Sequence, residues 1–69
     1  MMKYPHGEWG KQIKHICEEL DGDCHPSGRG HYRIRFPNGN TVYISATPSD
    51  NRGKKNAVIE CERAAGRRL

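Results

Sequence analysis

The chain is predicted to be an α+β domain with element order α-β-β-β-α, in which a three-stranded antiparallel sheet carries both helices on one face. Three observations lead to this. Residues 31–45 alternate apolar and polar around a Pro-Asn-Gly turn, residues 7–20 repeat their apolar side chains at helical spacing, and a capping sequence at 47–50 precedes a second helical stripe.

The hairpin organises the rest of the chain. From His31 to Phe36, alternation places Tyr32, Ile34 and Phe36 on one side and His31, Arg33 and Arg35 on the other. A two-residue Asn38-Gly39 loop would set Ile34 against Tyr43 and turn the two apolar faces in opposite directions. A three-residue loop, Pro37-Asn38-Gly39, sets Ile34 against Val42 and Tyr32 against Ile44, so that both apolar sets share one face. Turn chemistry agrees, since Pro37 and Asn38 suit the centre of a type I turn and Gly39 the left-handed bulge position after it. The opposite face then carries His31 across from Ser45, Arg33 from Tyr43 and Arg35 from Thr41, and this polar face is the expected seat of function.

Residues 1–6 read as a loosely ordered leader from which Tyr4 can pack back on the domain. The first helix covers about Gly7 to Leu20, its stripe formed by Trp9, Ile13, Ile16, Cys17 and Leu20, with Gly22 as the expected left-handed cap. Trp9 is expected to anchor the core. Asp23 to Ser27 is a candidate edge strand, the position where Pro26 is tolerated. Ser27-Gly28-Arg29-Gly30 is a flexible loop presenting one guanidinium. The second helix is expected to start with Thr47 as N-cap, Pro48 at its first position and Asp50 reaching back, and to end at Ala65 before Gly66. Its inner stripe is Ala57, Val58, Cys61, Ala64 and Ala65. Ile59 lies among cations on the outer face, either as a commonplace exposed side chain or as a dimer or partner contact.

The totals bound the function. Sixty-nine residues make one domain, residues 1–69, of a size where a single core is only marginally stabilising. No apolar run approaches a membrane span and the start lacks the apolar centre of a signal peptide, so a cytoplasmic location without membrane attachment is expected. Cys17, Cys24 and Cys61 have no framework spacing and read as small core residues of a reducing compartment. Net charge is +4, but residues 1–27 carry −2 and residues 28–69 carry +6. Such a localised positive surface attracts polyanions, nucleic acid foremost.

Candidate chemistry follows from that face and charge. His31 is the candidate general acid or base, set beside arginines that would stabilise phosphorane-like charge, although composition alone favours a surface histidine without a catalytic role. Arg33 opposite Tyr43 suggests a cation–π pair that either covers the sheet or contacts nucleic acid. Arg52, Lys54 and Lys55 gather near the start of the second helix, where backbone amides favour phosphate and where Asp50 opposes it. His15, Cys17, Cys24 and His25 do not form a convincing metal set, because His15 and Cys17 diverge on a helix. No metal or other cofactor is expected.

Gly30-His31 followed by an alternating strand, then Pro37-Asn38-Gly39, a further strand and a helix, resembles the HicA family of small messenger-RNA ribonuclease toxins, and more closely the HicA-like proteins of actinobacteria and their phages. The likeness runs from about Lys11 to Ala65. In that family a Gly-Ser-His motif carries the catalytic histidine, matched here by His31, with Gly30 standing where the family has serine and Arg29 where it has glycine. The resemblance implies a fold like that of the double-stranded-RNA-binding domain, a cytoplasmic mRNA interferase of a toxin–antitoxin pair, and a HicB antitoxin partner. Lys54-Lys55-Asn56-Ala57 separately resembles the Lys-Lys-x-Ala segment with which double-stranded-RNA-binding domains grip phosphates. The leading expectation is an RNA-directed HicA-like endoribonuclease with His31 as its catalytic residue and Arg29, Arg33, Arg35 and Tyr43 as contacts. The alternatives are a non-catalytic nucleic-acid module working through Arg29, Arg52, Lys54 and Lys55, or a phage protein that binds a host protein, with a homodimer as a possible assembly.

Overall fold

A computed structural model describes residues 4–69. Its elements are α1 (Gly7–Leu20), β1 (Asp23–Gly28), β2 (His31–Arg35), β3 (Thr41–Ser45) and α2 (Asn51–Ala65), the α-β-β-β-α order of an α+β fold. The three strands form one antiparallel sheet in the order β1-β2-β3, with β2 in the centre.

The three-residue turn has the register expected of it. Ile34 faces Val42, Tyr32 faces Ile44, Arg33 faces Tyr43 and His31 faces Ser45. The turn closes by Gly39 N–H donating to the Phe36 carbonyl and Phe36 N–H to that of Asn40, both at 2.9 Å. Gly39 has a φ of 92°, a conformation that side chains with a Cβ rarely adopt.

One face of the sheet and one stripe of each helix close a single core. Trp9, Ile13, Ile16, Cys17 and Leu20 from α1 meet Cys24, Ile34, Val42 and Ile44 from the sheet, together with Phe36 and Cys61, all buried. Each large aliphatic or aromatic side chain so buried contributes about 1.5–3 kcal/mol, the main favourable term in a domain this small. The two helices contribute unequally. Six residues of α1 are buried, whereas Cys61 is the one buried residue of α2, around which Ala57, Val58, Ala64 and Ala65 are half-buried. Small side chains let α2 approach closely but remove little area from water.

Polar groups compensate for that thin contact. The side-chain amides of Asn38 and Asn40, on the β2–β3 turn, donate to the Ala64 carbonyl at 2.7 and 2.9 Å. They satisfy a helix-end acceptor that the helix itself leaves without a partner. Arg67 meets Asp21 at 3.3 Å at this same end, where both helices finish, and at the opposite end of the sheet the Trp9 indole donates to the Ser45 carbonyl at 2.9 Å. Both helices therefore run from the sheet end holding the β1–β2 turn toward the end holding the β2–β3 turn.

Several local expectations are corrected. The left-handed residue that ends α1 is Asp21, with a φ of 59°, and not Gly22. Gly22 answers a packing demand instead, since a Cβ there would stand 2.8 Å from Ile34 Cγ2 and 3.0 Å from Phe36 Cε1. The N-cap of α2 is Asp50 and not Thr47: Asp50 Oδ1 accepts from Gly53 N–H at 2.8 Å, and the helix begins at Asn51. Thr47 is instead held by its own N–H donating to the Ser45 hydroxyl at 3.2 Å, which keeps residues 46–50 in a bend ahead of the helix. The edge strand extends to Gly28, one residue further than expected, through a bulge between Pro26 and Gly28. Of the leader, Met1, Met2 and Lys3 lie outside the described residues, Tyr4 packs against the core, and Pro5 is buried with its carbonyl where a Cβ of Gly10 would otherwise stand.

Candidate nucleic-acid interface

Because β2 is central, its outward side chains have neighbours on both flanks. The register builds three rows across the outer face: Asp23, Arg35 and Thr41; His25, Arg33 and Tyr43; and Gly28, His31 and Ser45. Ser45 is half-buried and the other eight residues are exposed, Tyr43 to 63%. Neither helix covers this side, since both pack on the other.

His31 is oriented by its own turn. Its Nδ1 lies 2.8 Å from the Arg29 carbonyl oxygen. A carbonyl only accepts, so in neutral His31 Nδ1 carries the hydrogen and Nε2 keeps its lone pair. Nε2 makes no hydrogen bond to the described residues, and its neighbour across the bulge is Gly28, at which even an added Cβ would meet nothing within 4 Å. The imidazole is thus an oriented proton acceptor with open space beside it.

The predicted contact residues divide into two groups. His31, Arg33, Arg35 and Tyr43 share the outer face, with Arg33 directly opposite Tyr43. Arg52, Lys54 and Lys55 stand on the first turns of α2, on the helical side of the sheet. Arg29 joins the two groups, because its carbonyl orients His31 while the next carbonyl, of Gly30, accepts from Ala46 N–H at 2.7 Å and ties the turn to the segment leading into α2. Among the described residues the salt bridges are Lys11–Glu8, His15–Glu19, His25–Asp23 and Arg67–Asp21, so none of these six Arg and Lys side chains is neutralised by a carboxylate. The amides of α2 are less open than its cations, since the Asp50 carboxylate already holds Gly53 N–H.

Two outward residues were missed by the sequence reading. His25 and Asp23 lie on the same face, with His25 Nε2 2.9 Å from Asp23 Oδ2. The signal was the alternation Asp23-Cys24-His25 with Cys24 inward, obscured by Pro26 and by the shortness of the strand.

Other chemistry is located elsewhere. Cys17, Cys24 and Cys61 are buried and form no disulfide, and burial, with Glu60 adding to it, pushes the Cys61 thiol up to about 12, so it is no nucleophile at neutral pH. No group of three His, Cys, Asp or Glu able to hold one metal ion occurs among the described residues. His15 pairs with Glu19 and His25 with Asp23 on separate surfaces, while Cys17 and Cys24 point into the core. An open hollow of about 630 Å³ on α2, lined by Ile59, Glu62, Arg63, Gly66, Arg67 and Arg68, contains none of the predicted site residues. The candidate site is a flat, cationic sheet face, suited to an extended polyanion more than to a small molecule in a pocket. Among the described residues no helix is long and apolar enough to cross a membrane.

Comparison of the chain with protein-family models, with curated proteins and with solved structures finds no match.

Proposed function

We propose that this protein is an RNA-directed, HicA-like endoribonuclease that cleaves RNA at its outer sheet face with His31 as the proton acceptor. The observation that carries this reading is the 2.8 Å hydrogen bond from His31 Nδ1 to the Arg29 carbonyl, which leaves Nε2 open on the face that also carries Arg33 and Arg35. A ribose 2′-hydroxyl is not acidic enough to attack phosphorus unaided, and a positioned imidazole contributes about 10²–10⁴-fold by accepting its proton. Guanidinium groups on the same face stabilise the extra negative charge of the phosphorane. Tyr43 offers an aromatic surface for a base. A HicB-type antitoxin that covers this face belongs to the same proposal, as does a cytoplasmic site of action.

A binding module without catalysis is the second reading. It is favoured by the link between the Arg29 turn and the segment leading to Arg52, Lys54 and Lys55, which gathers unpaired cations at one end of the molecule. Each phosphate neutralised there releases counterions, so binding would weaken steeply with salt.

The deciding experiment incubates the protein and its His31→Ala variant with labelled single-stranded and duplex RNA, reading cleavage and retention together. Cleavage by the wild type alone, lost by at least about 100-fold in the variant, is the expected result. Equal cleavage by both would remove His31 from the chemistry, and salt-sensitive retention without cleavage by either would transfer the function to the binding module.

A further inference from the structure

We infer that His25 is the second proton-transfer group of this face, the general acid that protonates the departing oxygen while His31 acts as base. The inference rests on the ribonuclease reading above and adds a residue that the Gly30-His31 motif does not contain.

His25 pairs with Arg33, and His31 lies two residues before Arg33 on the same face of β2. The two histidines are therefore diagonal neighbours on adjacent strands, about 7–8 Å apart at Cα by ordinary sheet geometry. Arg33 stands beside both. The bulge at Pro26/Gly28 sets a glycine opposite His31, so its direct partner across the ladder has no side chain. A phosphate seated on Arg33 has one imidazole within reach on either side.

The hydrogen bonds assign different roles to the two rings. His31 donates from Nδ1 to a neutral carbonyl and presents a lone pair at Nε2. His25 points Nε2 at the Asp23 carboxylate, 2.9 Å away, an ion pair whenever the ring is protonated. A carboxylate only accepts, so Nε2 carries a hydrogen and Nδ1 is the atom left to exchange a proton with substrate. Asp23 is the positioning residue. The remaining charged or titratable groups around His25 on this face are Arg33, Arg35, His31 and Tyr43.

The step balances without any co-reactant. His31 Nε2 takes the 2′-hydroxyl proton as the 2′-oxygen bonds to phosphorus. The bond from phosphorus to the 5′-oxygen breaks, and that oxygen takes a proton from Nδ1 of the His25 imidazolium. The products are a 2′,3′-cyclic phosphate end and a 5′-hydroxyl end, and proton exchange with water restores both rings.

A substrate pair separates the acid from the base. RNA has a poor leaving group that needs protonation, whereas a uridine 3′-(4-nitrophenyl phosphate) expels a phenolate that does not. His25→Ala is expected to slow RNA cleavage by about 100-fold or more yet stay within a few-fold of wild type on the aryl ester, while His31→Ala slows both. An unchanged thermal melt establishes that this exposed position leaves the fold intact, and Asp23→Asn is expected to give a smaller loss confined to RNA. RNA cleavage by His25→Ala at the wild-type rate would overturn the inference, as would equal losses on both substrates. Failure of the wild type to cleave either substrate would instead overturn the ribonuclease reading and this inference with it.

Discussion

On its inward face the sheet presents Cys24, Ile34, Val42 and Ile44, all buried against the helices. On its outward face the same strands present Asp23, His25, His31, Arg33, Arg35, Thr41 and Tyr43, all exposed. The two sets share one backbone ladder, and residues one position apart, such as Arg33 and Ile34, have different physical duties. Inward residues hold the fold by removing apolar area from water. Outward residues contribute little to stability, since Arg33 and Arg35 are exposed and form no salt bridge among the described residues. Composition on the outward face is therefore open to be set by a ligand.

The sharpest test of this division uses the neighbours Phe36 and Arg35. Phe36→Ala empties the largest fully buried side chain of the core and is expected to cost about 3–5 kcal/mol, enough to abolish a cooperative melt in a domain of this size. Arg35→Ala is expected to change stability by less than about 0.5 kcal/mol while weakening RNA retention. Comparable losses of stability in the two variants would break the distinction.

A second test probes the inward side through Cys61. The unfolded chain releases this thiol proton near its ordinary value of 9.0, whereas the folded protein holds it to about 12. The folded-state value is the higher one, so the associated stability is fully present below pH 9 and is lost as pH rises toward 12. Chemical denaturation at a series of pH values should record this decline, and Cys61→Ala should flatten it. Identical curves for the two proteins above pH 9 would count against a buried, protonated thiol.

A milder loss than that of Phe36 is expected at an exception to the division, because Asn38 and Asn40 are exposed and polar yet support the fold. Their amides hold the C-terminal carbonyl of α2, the helix with the thinner apolar contact. Removing either donor should cost about 0.5–1.5 kcal/mol, a fall of several degrees in melting temperature, with RNA cleavage unchanged. A melt unaffected by Asn38→Ala combined with Asn40→Ala would mean that packing around Cys61 alone holds α2.

Much of this was legible in the order of residues. Period-two alternation on either side of Pro37-Asn38-Gly39 was enough to select the three-residue turn, because the alternative register would have exposed one apolar set, and His31, Arg33, Arg35 and Tyr43 then followed onto one face. The stripe from Trp9 to Leu20 located α1 for the same reason: side-chain periodicity is a local property, and burial selects the helix that gathers it. Other features depend on what the chain meets after it folds. Gly22 is required by Ile34 and Phe36, and Gly10 by Pro5, and neither need is written near either glycine. Asp50 displaced Thr47 as the cap of α2 because the helix begins only at Asn51, which leaves Thr47 in the bend that follows β3. His25 joined His31 through strand pairing, which folds the five intervening residues back across a bulge. Periodicity and turn chemistry are encoded within a few residues, whereas close approach, the choice between competing caps and the pairing of distant titratable groups are decided by excluded volume and hydrogen-bond partners that exist only once the sheet and helices have packed.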